Sequence, residues 1–328
     1  MGKTRKKILI IRLGAIGDVV HTTIIAKAIK EKYPEYEVHY LTQSDVAPVL
    51  INHPYIDKVI IWEKKYRKSF RYVTDIIKGL FSERYDVIFS LTNSIRNFYL
   101  SLLAFPKRIV TVKKHKGLWV EAYFNSAKKA FPELEIPKSL SLGTDNKDLE
   151  TVSKLLSDHP KPHVMIIPGG GTDKNRQGRI WNINKWAELS DSITKRYGGT
   201  VFVVGSKSER QYHEVLAREN TVITSGNYSL SESSALLSKS DLVISGDTGT
   251  LHIASAHGVP SIAILGSTSP DKIKPYGDNG FYIEPSFHCK YCWEKKCKYL
   301  KNNEKYTPCI ESITSETVLN KIISENLL

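Results

Sequence analysis

Short apolar runs alternate with amphipathic stretches along nearly the whole chain, and the alternation restarts once, at His163. Helices between strands are the crossovers that parallel strands require, so the pattern predicts an α/β protein built on doubly wound parallel sheets. In the first half, strands are expected near Ile8–Arg12, Glu37–Thr42, Lys58–Trp62, Asp86–Ser90 and Arg108–Val112, with helices near Val19–Lys32, Phe70–Ser82 and Leu118–Ala130. A polar, proline-punctuated passage from Pro132 to Pro162 carries one more helix, Lys147–Ser157. Strands resume at His163–Ile167, Thr200–Val204, Leu242–Ser245 and Ser261–Leu265, with helices near Ile183–Tyr197, Ser208–Glu219, Ser231–Ser238 and Thr250–Ala256. A chain of 328 residues is too long for one small core. The expectation is two similar domains, residues 1–160 and 161–328, facing each other across a cleft, with the last helix free to pack back on the first.

No apolar run nears the roughly 20 residues of a spanning helix. The basic start followed by Ile8-Leu9-Ile10-Ile11 looks superficially like a signal peptide. Arg12 cuts that run far below the usual ~7–15 residues, and no small-residue cleavage site follows. Lys6 also stands where a myristoylation motif needs Ser or Thr. A cytoplasmic protein is expected. The net charge of +13 is uneven: residues 1–158 hold 27 Lys and Arg against 17 Asp and Glu, residues 159–328 hold 20 against 17. Clusters such as Lys64-Lys65-Tyr66-Arg67-Lys68 and Lys113-Lys114-His115-Lys116 lie in the basic half. Such a face suits an anionic partner: phospholipid headgroups, a phosphorylated glycolipid or nucleic acid. A solvated lysine-rich surface is the plain alternative for any single cluster.

Two strand-to-helix junctions carry the chemistry. Leu13-Gly14-Ala15-Ile16-Gly17-Asp18 follows the first strand, and Gly14 and Gly17 permit a tight turn and close approach of a ligand. A full dinucleotide fingerprint is absent, and Thr42-Gln43-Ser44 stands where a ribose-binding acid belongs, which argues against a dehydrogenase. Asp18 reads either as a helix cap or as a general base. The second junction is Gly246-Asp247-Thr248-Gly249-Thr250-Leu251-His252. Asp247 or Thr248 caps the helix, the first-turn amides attract an anion, and His252 lies one turn in on the face of Thr248. Between the two, Gly169-Gly170-Gly171-Thr172 with Lys174, Arg176 and Arg179 suits a phosphate-wrapping loop, or else a charged surface loop. Trp181 and Trp186, at helical spacing, read as packing.

Every cysteine lies in one stretch, Cys289-x2-Cys292-x4-Cys297-x11-Cys309. A cytosolic setting disfavours disulfides, and the spacing lacks the paired symmetry of a zinc ribbon. Reduced thiols that pack the segment are expected, with a structural zinc site the physical alternative.

Taken together, these residues make the chain resemble the ADP-heptose:lipopolysaccharide heptosyltransferases, glycosyltransferase family 9. The resemblance spans nearly the whole length. It rests on Arg12 to Thr22, on Pro168-Gly169-Gly170 through Arg179, Trp181 and Trp186, on Gly205-Ser206, on Asp247-Thr248-Gly249 with His252, and on the cysteine-rich segment. It implies a GT-B fold of two Rossmann-like domains, acceptor on the first and nucleotide-sugar on the second. By it, Asp18 is the catalytic base and Gly14 and Gly17 lie on the acceptor side. Gly170, Gly171, Thr172, Arg179, Ser206, Asp247, Thr248, Gly249 and His252 bind the donor; at Arg179 the family usually has lysine. Asn182 departs from the family, which has proline after this tryptophan. The implied activity is inverting transfer of a heptose from ADP-heptose to a hydroxyl of the lipopolysaccharide inner core, without a catalytic cofactor or metal. The implied acceptor is an anionic, Kdo-bearing lipid A, met at the inner face of the cytoplasmic membrane by the basic first domain, with no nucleic acid involved. Loops such as Thr92–Asn97 and Gly266–Pro275 would select donor and acceptor. Two rivals stand beside it: a nucleotide-sugar 2-epimerase, which needs no acceptor, and a basic nucleic-acid-binding protein.

Overall fold

The computed structural model describes residues 6–328 except 93, 113–114, 170–176, 295 and 302–303. Its contacts divide into two units, one ending at Gly143 and the other beginning at Thr144.

In chain order the first unit contains β1 (Lys7–Ile11), α1 (Ile16–Lys32), β2 (Glu37–Gln43), β3 (Lys58–Trp62), α2 (Phe70–Glu83), β4 (Val87–Ser90), α3 (Ile95–Leu103), β5 (Arg108–Thr111) and α4 (Trp119–Lys128). Its strands form one sheet in the order β3-β2-β1-β4-β5, parallel at every pairing. The chain winds outward from β1 in one direction and then from β4 in the other, so α1 packs with α4 while α2 packs with α3. A central strand covered on both faces has no solvent side, which is why Ile8, Leu9, Ile10 and Ile11 are all apolar and all fully buried. Leu9 and Ile11 join Leu41, Ile88, Leu80 of α2 and Leu100 of α3 in one core. Each such side chain contributes roughly 1.5–3 kcal/mol by leaving water.

The second unit contains α5 (Asn146–Ser157), β6 (His163–Ile167), α6 (Ile183–Tyr197), β7 (Thr200–Val203), α7 (Arg210–His213), β8 (Thr221–Ile223), α8 (Leu230–Ser238), β9 (Leu242–Ser245), α9 (Gly249–Ala256), β10 (Ser261–Ile264), α10 (Pro270–Ile273), β11 (Gly280–Ile283), α11 (Pro308–Glu311) and α12 (Ser315–Ser324). The order β11-β10-β9-β6-β7-β8 is again parallel throughout, with the switch between β6 and β9. Trp181 and Trp186 are buried edge to face at 4.9 Å, and Trp181 Nε1 donates to the Ile313 carbonyl, so this pair is packing.

Several elements differ from the sequence pattern. The division falls ahead of α5, a helix that the pattern groups with the first half; α5 packs on α8, and Ser231 donates to Asp148. The last helix, α12, packs on α6 and β11 of its own unit. The expected helix Ser208–Glu219 shortens to α7 followed by a 3-10 turn at Glu214–Leu216. Residues expected as the loop Thr92–Asn97 run into α3, whose buried side carries Asn97 and Ser101 and whose outer side is apolar. β8 and β11, of three and four residues, are too short to show a period.

Candidate active site

In the first unit, Arg12 to Ala15 turn from β1 into α1 at the carboxyl edge of the sheet, beside the switch between β1 and β4. The Gly14–Ala15 peptide is cis, and a side chain on Gly14 would meet nothing within 4 Å, so bare backbone borders the turn. Gly17 is the second residue of α1. The N-cap is Ala15, with no side-chain cap, so the capping reading of Asp18 fails. Asp18 sits instead in the first turn, where the helix dipole favours a carboxylate.

Tertiary contacts aim that carboxylate. Its Oδ2 pairs with Arg12 Nη2, and its Oδ1 accepts from the Tyr123 hydroxyl of α4 at 3.0 Å. Arg12 Nη1 donates to the Leu91 carbonyl at the end of β4 (2.6 Å), and its guanidinium lies 5.8 Å from the centre of the Tyr123 ring. The Asp18 side chain keeps 30% exposure against 15% for Arg12, so the carboxylate is the more accessible member of the pair. Burial, reinforced by Asp18, pushes the Tyr123 hydroxyl above the usual tyrosine range and keeps it a proton donor. One turn on, His21 is buried; desolvation first and Arg12 second lower its pKa to about 3, so the imidazole is neutral near pH 7. The motif contains Arg12 without assigning it a task. Tyr123 lies 105 residues from Asp18 and carries no local signal.

The second unit repeats the plan with the charges exchanged. Arg179, at the end of the 3-10 turn Gln177–Arg179, pairs through Nη2 with Asp247 Oδ2 at 2.6 Å and also donates to the Asp247 carbonyl at 3.1 Å. Here the carboxylate is the hidden partner, 7% exposed against 17%. Arg179 Nε is buried and has no hydrogen-bond partner among the described residues. Gly246 lets the two strand ends meet: a Cβ there would stand 3.3 Å from the Arg179 carbonyl and 3.5 Å from that of Gly169. Thr248 is the N-cap of α9; its hydroxyl accepts from the Leu251 amide and contacts Ser245 Oγ at 2.9 Å. The first-turn amides of Gly249 and Thr250 therefore stand at the helix start, two and three residues after the Arg179 partner Asp247, without an intrahelical acceptor. His252 is buried, 4% exposed, in the same helix.

Not every predicted residue joins this group. Ser206 is exposed and bound to Glu209, whose Oε2 accepts from its amide and hydroxyl at 2.8 and 2.6 Å. Gly170, Gly171, Thr172, Lys174 and Arg176 lie outside the described residues. Asn182, in place of proline, is the N-cap of α6, its side chain accepting from the Asn184 amide.

The four cysteines line one cavity of about 20 Å³ together with Gly178, Ser267 and Tyr299. Ser267 accepts from the Trp293 amide and its own amide donates to Gly178, so this segment braces the turn that carries Arg179. Burial raises the Cys309 thiol pKa. No disulfide joins the cysteines, and among the described residues no three His, Cys, Asp or Glu side chains stand close enough to hold a metal ion.

Comparison with known proteins extends this geometry. The chain matches Glycosyltransferase family 9 (heptosyltransferase) over residues 73–303. It is 25% identical to lipopolysaccharide heptosyltransferase 1 of Campylobacter coli, covering 97% of this chain and 98% of the relative. Among solved structures, a glycosyl transferase family 9 protein from Veillonella parvula superposes with a TM-score of 0.83 at 18% identity, over 100% and 98% of the two chains. The E. coli heptosyltransferase WaaC with ADP-2-deoxy-2-fluoro heptose gives 0.71 at 18%, over 98% and 99%. These likenesses show the fold: two Rossmann-like parallel-sheet domains of the GT-B class.

Proposed function

The chain belongs to glycosyltransferase family 9, the heptosyltransferases, and we propose that it moves a heptose from ADP-heptose to a hydroxyl of the lipopolysaccharide inner core, with inversion. Support for the donor comes from the fluorinated ADP-heptose in the E. coli relative, and for the acceptor from the activity named for the Campylobacter coli protein. The observation that carries the reading is the Asp18 carboxylate, fixed by Arg12 and Tyr123 at an open sheet edge.

In this reading Asp18 accepts the proton of the acceptor hydroxyl as that oxygen bonds to the anomeric carbon. The bond from that carbon to the diphosphate breaks on the opposite face, and its electron pair leaves on ADP. General-base assistance of this kind is worth about 10²–10⁴-fold. Arg179, through donors that Asp247 does not occupy, and the amides of Gly249 and Thr250 meet the charge that grows on the diphosphate. These groups supply the positive charge from the protein, so transfer is expected to persist in EDTA; a strict Mg²⁺ requirement would count against the assignment. Among the described residues no helix is long and apolar enough to cross a membrane. The basic first unit then meets the lipid A acceptor peripherally, at the inner face of the cytoplasmic membrane.

Calorimetry against ADP-, UDP- and GDP-sugars tests the donor, with ADP-heptose expected to bind tightest. Conversion of a nucleotide-sugar with no acceptor present would favour a 2-epimerase. Steep salt-dependent affinity for DNA or RNA, with no nucleotide-sugar binding, would favour a nucleic-acid-binding protein.

A further inference from the structure

Helix α3 carries its apolar side outward. Ile95, Phe98, Tyr99, Leu102 and Leu103 are 75, 46, 56, 48 and 41% exposed, and their spacing places them on one stripe. The opposite side, turned into the unit, holds Asn97 and Ser101 beside Leu100 and Ala104. Asn97 donates to Thr92 Oγ1 at 2.9 Å and Ser101 to the Asn97 carbonyl at 2.8 Å, so the polar groups are the buried ones. The stripe continues beyond the helix: Phe105, 73% exposed, stands edge to face with Phe81 of α2 at 5.8 Å. A water-facing helix has the reverse arrangement, and a continuous apolar surface of this kind marks a contact.

Charge identifies the partner. Between Asp86 and Glu121 the chain has no Asp or Glu and six Lys or Arg. Lys107 and Arg108 follow Phe105, while exposed Lys78 and Arg84 flank Phe81 one turn to either side. The acids nearest in sequence, Glu83 and Asp86, are engaged by Lys7 and Lys58 and by Lys107. An apolar stripe bordered by Lys78, Arg84 and Arg108, with its nearest acids already paired, complements an anionic bilayer, where apolar side chains enter the acyl boundary and cations meet phosphates. A second copy of so basic a surface would repel the first.

The position also fits. α3 starts just beyond β4, and the Leu91 carbonyl at that strand end is held by Arg12, the partner of Asp18. A lipid-linked acceptor would therefore rise from the membrane beside the candidate base. We propose that the outward stripe of α3, with Phe105 and Phe81, is a membrane-docking face that inserts into the headgroup–acyl boundary of an anionic bilayer. Its biological sense rests on the lipid-linked acceptor proposed above.

Co-sedimentation of the full chain with phosphatidylcholine vesicles, with and without about 30 mol% phosphatidylglycerol, tests it. The expected result is binding to the anionic vesicles that high salt weakens without abolishing, because the inserted side chains are not screened. The double variants Phe98→Ser/Leu102→Ser and Tyr99→Ser/Leu103→Ser should each cut partitioning by about tenfold or more. Circular dichroism and urea unfolding of each variant should match the parent and so certify folding of the first unit, and ADP binding by calorimetry, a property assigned to the other unit, should stay unchanged. Absence of vesicle binding, or folded variants that bind like the parent, would overturn the proposal. A dimer in solution that either double variant converts to monomer would also overturn it, making the stripe a self-interface. Vesicle binding by a chain that fails to transfer heptose would sink the transfer reading and leave the docking face standing.

Discussion

Asp18 and Asp247 both stand near the start of the helix that follows a parallel strand next to a switch in strand order, Asp18 in the first turn of α1 and Asp247 just ahead of the α9 cap, and each is paired with an arginine. They differ in which partner faces outward. Asp18 is the more exposed member of its pair, held by an arginine behind it and a tyrosine beside it. Asp247 is the more buried member and presents Arg179. The same supersecondary unit thus yields a positioned carboxylate in one case and a positioned cation in the other. Depth decides: the buried member anchors, and the exposed member is left for a ligand.

That contrast can be broken by mutation, most severely at the exposed acid. Asp18→Asn should lower kcat by about 10²–10⁴-fold while ADP binds as before; single-turnover kinetics with calorimetry would show it, and retained turnover would remove the base assignment. Arg179→Ala leaves Asp247 buried without its cation, so the second unit should lose about 3–5 kcal/mol in urea unfolding. ADP affinity should fall in the same variant, by about 1.5–3 kcal/mol. Arg179→Lys keeps the charge and should bind ADP better than the alanine variant, whereas identical losses would deny Arg179 a role in anion binding.

Acid should act on both units next. His21, His53 and His257 are lowered by burial to about 3, 4 and 4. Their unfolded forms take up protons below roughly pH 6.5 and the folded forms do not. Stability is therefore complete above that pH and is lost as pH falls from 6.5 towards 4, by up to about 1.4 kcal/mol per unit for each group. His21→Gln should make the decline of the urea midpoint shallower; an unchanged slope would mean His21 is already charged.

Smaller effects sharpen the comparison. Tyr123→Phe removes one of the two groups that orient Asp18 and should cost about 0.5–1.5 kcal/mol in kcat/KM. If kcat/KM does not move, the hydroxyl is dispensable. Asn182→Ala should lower the stability of the second unit by about 0.5–2 kcal/mol through loss of the α6 cap, leaving ADP binding intact.

The strands and crossovers are readable because buried parallel strands must be apolar and their helices amphipathic. α3 escaped that logic for the physical reason that makes it informative: its apolar stripe faces out and its Asn97 and Ser101 face in. Gly14, Gly17, Asp247 and Thr248 stand out locally because turns and caps are local chemistry. The choice between Asp247 and Thr248 as cap required coordinates, as did the finding that Ser206 is held by Glu209.

Periodicity and junction chemistry alone specify two parallel α/β units and the few residues at their strand ends, since both follow from neighbours along the chain. Which carboxylate is buried, that Tyr123 of α4 reaches Asp18, and that four cysteines share one cavity with Gly178 depend on contacts between residues far apart in sequence. Such contacts arise only when helices and loops close on a sheet, because side-chain reach and burial are properties of the packed unit and leave no period in the chain that makes them.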